Sequence, residues 1–132
     1  MSLRKSMLNQ CLATARRMLV RHPQRDNYPH YSFIIMNGKI CSVGVNRQHE
    51  PDKKFGYHNR IPKEDFIPKW HSEIDAIRKV RSRLSDWIIV NLRLNKREET
   101  RLSCPCSICM NTLLCFDCSN IYFSTPNGWG KI

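Results

Sequence analysis

At 132 residues the chain is long enough to bury a core as one compact domain over 1–132, and too short to divide into two ordinary ones. Its 41% hydrophobic and 25% charged content excludes a disordered tail. The lack of an apolar run near the roughly 20 residues of a membrane helix, or of an apolar signal core, reads as neither exported nor membrane-spanning. Twenty-two Lys and Arg against 11 Asp and Glu leave a formal charge of +11, a field that draws nucleic acid or nucleotide phosphates and that a merely soluble basic protein would also show.

From Leu3 to Arg21, Met7, Leu8, Cys11, Leu12, Ala15, Met18 and Leu19 recur at helical spacing and predict an amphipathic first helix. A polar stretch from His22 to His30 with two prolines ends it, and Tyr31–Met36 follows as a strand of β-formers. Asn37-Gly38 is a hairpin turn signal, so Lys39–Asn46 reads as a second, antiparallel strand. Arg47–Trp70 has three prolines and no sustained period, and reads as a long loop of the kind that usually serves function. In it Phe55, Tyr57, Phe66 and Trp70 interleave with Lys53, Lys54, Arg60, Lys63 and Lys69, a pattern that can stack bases while pairing phosphates or can anchor the loop to the body.

A helix is expected from about His71, with Ile74, Ile77, Val80 and Leu84 on one face and Arg78, Lys79, Arg81 and Arg83 on the other. Trp87–Leu94 opens continuously apolar, as a strand covered on both faces does. A charged turn, Lys96–Arg101, precedes a short helix from Cys106 to about Cys115, with Pro105 at its threshold. Ile121–Thr125 closes as a fourth strand. The order predicts an α/β fold in which helices pack on a mixed sheet.

Five of seven cysteines crowd between Cys104 and Cys118, and an odd number argues against a disulfide scaffold, so metal-bound thiolates in a reducing cytoplasm fit better. Two motifs matter together: His71-Ser72-Glu73 at one predicted helix start and Pro105-Cys106-Ser107-Ile108-Cys109 at another. Cysteines three apart on a helix lie about 60° apart around its axis, so both sulfurs can reach one ion. The helix N-terminus favours the thiolate, and His71 supplies a third ligand. Three ligands leave tetrahedral zinc one open position for water, and Glu73 is placed to move protons beside it.

This pairing resembles the zinc-dependent cytidine deaminase superfamily, whose signature is His-x-Glu followed by Pro-Cys-x-x-Cys. Gly44-Val45-Asn46 is similar to that family's asparagine-bearing second strand, and the order of elements agrees from the first helix to Thr125. Within the superfamily the chain looks most like small phage or bacterial deoxycytidylate-type deaminases, sharing its motif plan with tRNA adenosine deaminases and the AID/APOBEC group. The resemblance implies a three-layer α/β/α fold, Zn2+ on His71, Cys106 and Cys109, a proton shuttle at Glu73, and Asn46 near the sugar or base. It also implies that the Ser72 N–H holds the base carbonyl and that the Cys104 carbonyl receives the amine; Tyr57 or Phe55 is expected to touch substrate. The chain stops seven residues after Thr125, where larger relatives continue into another helix and a fifth strand, which implies a fold truncated at its C-terminus.

The expected reaction is conversion of cytosine to uracil in a cytidine nucleotide or in single-stranded DNA or RNA. Adenosine deamination in tRNA or other nucleic acid is the alternative within the family. Outside it stands a non-enzymatic zinc-stabilised nucleic-acid-binding module using Cys106, Cys109, Cys115 and Cys118. Apart from that series, Cys115 reads as core, Cys118 as a turn residue, and Cys11 and Cys41 as buried small hydrophobes. His22, His49 and His58 read as surface residues rather than ligands for a second metal. Arg97 and Arg101 border the cysteine motif, as phosphate contacts or as a solvated turn. Self-association into a homo-oligomer is left open by the residues.

Overall fold

The computed structural model describes residues 3–21, 29–46 and 71–132. In chain order these form α1 (Lys5–Arg21), β1 (His30–Met36), β2 (Lys39–Val45), α2 (Ser72–Lys79), β3 (Ile88–Leu94), β4 (Thr100–Arg101), α3 (Ser107–Cys115), β5 (Asn120–Thr125) and β6 (Gly128–Lys131). The six strands make one mixed sheet in the order β2-β1-β3-β5-β6, with β4 paired to β3. Only β3 and β5 run parallel, and α3 lies in the connection between them. Phe55 and Tyr57, like the rest of 47–70, lie outside the described residues.

The strand pleat sorts the core into two sides. Tyr31, Phe33 and Ile35 of β1, with Ile88, Val90 and Leu92 of β3, meet Leu8, Cys11 and Ala15 of α1. The alternate residues Ile34, Met36, Ile89 and Ile121 face Ala76 and Ile77 of α2 and Leu113 of α3. Side chains of successive strand residues point to opposite faces, so one helix below and two above bury both sides. This is the expected three-layer α/β/α arrangement. Among the described residues no helix is long and apolar enough to cross a membrane.

Asn37 and Gly38 both take positive φ, 52° and 71°, as a two-residue hairpin matched to strand twist requires. The pairing of β1 with β2 steps from Ile34–Ser42 to Ile35–Ile40, which leaves Cys41 as an extra residue on β2. A bulge turns its extra residue out of the ladder. Cys41 is accordingly exposed, where the sequence suggested a buried hydrophobe. Cys11 is buried as expected.

Three further expectations need correction. The helix begun at His71 stops at Lys79, because Val80 turns to extended backbone at φ −68° and ψ 128°. Val80 and Leu84 still pack half-buried against the α2 side of the sheet, so their spacing marked burial without helix. Cys115 ends α3 on its exposed side rather than in the core. The last seven residues add β6, which returns antiparallel to β5 through the turn at Pro126 and Asn127.

β2 fixes the place of α2. The Asp75 carboxylate, fully buried, accepts from the Val45 N–H at 2.9 Å and pairs with Lys79 at 2.7 Å. Ser42 Oγ donates to the Ala76 carbonyl at 2.7 Å. Between these bonds lies Gly44, where a Cβ would collide with the Ser72 carbonyl oxygen and the Ala76 nitrogen. The helix backbone therefore rests directly on the strand.

Candidate metal and proton-transfer site

The N-termini of α2 and α3 converge. His71 is the residue before α2, extended at φ −72° and ψ 148°, and its side chain makes no cap hydrogen bond. Its imidazole instead reaches across to α3, with Nδ1 3.1 Å from Cys109 Sγ and 3.7 Å from Cys106 Sγ. Cys106 caps α3, its sulfur accepting from the Cys109 N–H at 3.5 Å. Cys109 is buried one turn on.

These three side chains offer ligand atoms all within 4.8 Å of one another, and among the described residues they are the group that can hold a metal ion. Tetrahedral zinc, with bonds of about 2.3 Å to sulfur and about 2.0 Å to nitrogen, sets its ligand atoms roughly 3.5–3.8 Å apart. The 3.7 Å spacing lies within that range and the 3.1 Å spacing just below it, and one imidazole with two thiols is a donor set that zinc accepts. Cys115 and Cys118 stand outside the group; the Cys118 thiol donates to the Asn120 carbonyl at 3.3 Å, and burial pushes it up to about 11. The four-cysteine arrangement is not formed.

Hydrogen bonding prepares the metal-binding form of Cys106. The Cys109 side chain, then His71 and the Cys109 N–H, bring the Cys106 thiol down to about 4 against the opposing effect of desolvation. A thiol at a helix N-terminus facing N–H donors is the setting in which thiolate is favoured.

Glu73 lies one residue into α2, 6% exposed, and is not among the three clustered ligands. Desolvation pushes its carboxyl above the usual range, opposed by its backbone hydrogen bond and the charge on His71, while Cys106 adds to the rise. Glu73 stands two residues after His71 at the start of α2. Both of its oxygens are held. Ser72 Oγ donates to Oε1 at 3.1 Å, and Asn91 Nδ2 donates to Oε2 at 3.0 Å. Ser32 Oγ lies 2.8 Å from Ser72 Oγ and donates to Asn91 Oδ1 at 2.7 Å, closing a ring of four buried side chains.

The ring's hydrogens can be counted. Three contacts involve the two serine hydroxyls, and each hydroxyl has one hydrogen. With Glu73 ionised, one contact goes without. Burial favours the proton-carrying acid, whereas the hydrogen bond donated by Ser72 acts against it and favours the ionised form.

Asn46 follows β2, and its Oδ1 accepts from the His30 N–H at 3.0 Å. His30 begins β1 opposite Arg93 of β3. Burial first, then the charges on Arg93 and His71, bring His30 down to about 4. Ser72 is buried against Ser32, and Cys104 is exposed in the segment before α3. Arg101 lies exposed on β4, and Arg97 lies exposed in the turn that Asn95 Oδ1 organises by accepting from the Arg97 and Glu99 N–H groups, each at 2.9 Å.

Sequence reading missed Ser32, Asn91 and Asp75. Asn91 carried a legible signal, a lone amide inside an apolar strand, since a buried amide demands partners. Ser32 lies directly beside it in the β1–β3 register.

No protein-family model matches the chain, and no curated protein matches it. Among solved structures, the fold is similar to a dCMP deaminase from the cyanophage S-TIM5, in complex with dCMP and dUMP, at a TM-score of 0.57 and 15% identity. The likeness covers 92% of this chain and 83% of that one. The architecture is that of a dCMP-deaminase-like α/β fold.

Proposed function

We propose that the chain is a zinc-dependent hydrolytic deaminase converting cytosine to uracil in a cytidine nucleotide or single-stranded polynucleotide. The observation that carries this reading is a buried acid two residues after His71 on α2, outside the three-donor metal cluster. A closed structural zinc site takes four protein ligands, whereas a catalytic site keeps a position open. His71, Cys106 and Cys109 would hold the ion. When bound, zinc supplies a Lewis acid that makes water acidic enough to attack at neutral pH.

The chain's own residues manage the protons. Glu73 takes one from the attacking water, delivers one to the ring nitrogen, and assists departure of the exocyclic amine as ammonia; cytosine and water become uracil and ammonia. A carboxyl raised by burial is both a better base and a better proton carrier near neutrality than an exposed one. The Ser72 N–H is assigned to the base carbonyl, the Cys104 carbonyl to the amine, and Asn46 to the sugar or base. Phe55 and Tyr57 are assigned to the substrate from the sequence pattern alone.

The fold neighbour's complex with dCMP and dUMP supports a cytosine nucleotide, and the charge of +11 supports a polyanion. Incubation of the purified protein with deoxycytidylate, cytidine, single-stranded DNA and RNA, scored for uracil, tests both. Polynucleotide binding should weaken steeply from about 50 to 200 mM salt, and a single-phosphate substrate much less. Glu73→Gln should retain zinc and lose turnover by about 10²–10⁴-fold. Equal ammonia release by the variant and the parent would remove Glu73 from the mechanism.

A further inference from the structure

Glu73 is the member of the polar ring to which the proposed reaction gives the proton-transfer task, and one of its two oxygens is held by a side chain from a neighbouring strand. A carboxylate on a flexible stem has three torsions, and a proton shuttle must keep one oxygen aimed at the reacting atoms. The Asn91 amide, fixed in β3, donates to Oε2 at 3.0 Å. That amide has no freedom to flip. Its Oδ1 accepts from Ser32 at 2.7 Å, while its Nδ2 also lies 3.4 Å from the Ser103 carbonyl, so the amide nitrogen must face the acid. Ser103 returns the tie by donating from Oγ to the Asn91 carbonyl at 2.9 Å, and it belongs to the segment that leads into Cys106 and Cys109.

We infer that Asn91, oriented by Ser32, is a positioning residue that sets the rotation of the Glu73 carboxylate, and that Ser103 ties this clamp to the metal-binding helix. The inference rests on the deaminase reading for its effect on turnover, but the clamp is a claim about geometry that stands apart from it. Neither Asn91 nor Ser32 belongs to the metal cluster, so loss of either should leave the metal in place.

The test combines kinetics, metal content and one spectroscopic reading. Asn91→Leu keeps the number and branching of the side-chain heavy atoms and removes the donor; it should retain one zinc per chain, lower kcat by about 10²-fold and leave KM within about twofold, as loss of an oriented proton-transfer group does. Ser32→Ala should lower kcat by about tenfold, and Ser32→Thr, which keeps the hydroxyl, should restore it to within about twofold of the parent. An Asn91→Leu protein with parental kcat overturns the inference, as does one whose lost activity tracks lost zinc.

The side-chain amide resonances of Asn91 in the full chain give a reading independent of turnover and of whether Asn91→Leu folds. They should shift on Glu73→Gln, which replaces the acceptor carboxyl with an amide. Resonances unmoved by that substitution refute the clamp. If the parent turns over none of the cytosine substrates, the deaminase reading fails, and the amide resonances alone then decide for or against the clamp.

Discussion

Gly44→Ala is the smallest change that should strike the site from a distance. The added carbon would overlap the Ser72 carbonyl oxygen and the Ala76 nitrogen and stand 2.8 Å from Ala76 Cα, all of them helix backbone. No side-chain rotation can relieve such contacts. Relief to ordinary van der Waals distance needs α2 to move away by on the order of 1 Å, which strains the Asp75–Val45 and Ser42–Ala76 hydrogen bonds that hold it. Overpacking of this kind costs roughly 1–3 kcal/mol. For a chain of this length about 2 kcal/mol corresponds to a Tm lower by about 7 °C. Because α2 carries Glu73 and follows His71, the same shift should lower turnover per bound zinc by about 10²-fold. Scanning calorimetry, metal analysis and the uracil assay on Gly44→Ala decide the matter. A variant within about 1 °C of the parental Tm and with full turnover would show that the strand does not position the helix as argued.

Cys106→Ser and Cys109→Ser should each lose stoichiometric zinc by metal analysis after dialysis, whereas Cys115→Ser and Cys118→Ser should keep it. Zinc lost from the latter pair would restore the four-cysteine site. His30 gives a pH prediction of definite sign: held at about 4 when folded against 6.5 when free, it contributes stability present above 6.5 and lost as pH falls through 4. At 1.36 kcal/mol per pH unit the ceiling is about 3 kcal/mol. Urea midpoints of the parent and His30→Gln, measured from pH 7 to 4, should converge as the pH falls. Burial of Glu73 acts in the opposite direction, but equally in both proteins, so parallel curves would deny His30 the role.

The elements with strong local signals were legible in the sequence. α1, the β1–β2 hairpin and the core of β3 followed from periodicity and the Asn-Gly turn, because each sorts its apolar residues onto faces that the sheet and α1 cover. β4 and β6 were not. β4 has two residues, Thr100 and Arg101, and exists because the side-chain bonds of Asn95 close the turn before it. β6 is Gly128-Trp-Gly-Lys131, poor in strand formers, and owes its pairing to β5 beside it. The break at Val80 was illegible for the converse reason: the apolar spacing persists to Leu84, but extended backbone can bury Val80 and Leu84 as well as a helix can.

The site divides along the same line. His71, Glu73, Cys106 and Cys109 stood out because metal ligation restricts residue type and helix geometry restricts spacing, and both constraints are written within a few positions of sequence. Apart from Ser72, the residues of the ring around Glu73 come from β1 and β3, 41 positions before it and 18 after it, and their proximity is created by pairing Ser32 with Asn91 across the sheet. No local pattern encodes that meeting. What the sequence does contain is a residue out of keeping with its surroundings, an asparagine among Ile88, Ile89, Val90 and Leu92. Burying an amide without partners costs several kcal/mol. It is tolerated here because one acid and one hydroxyl use its donor and its acceptor, and the acid in turn gains the orientation that its proposed task requires.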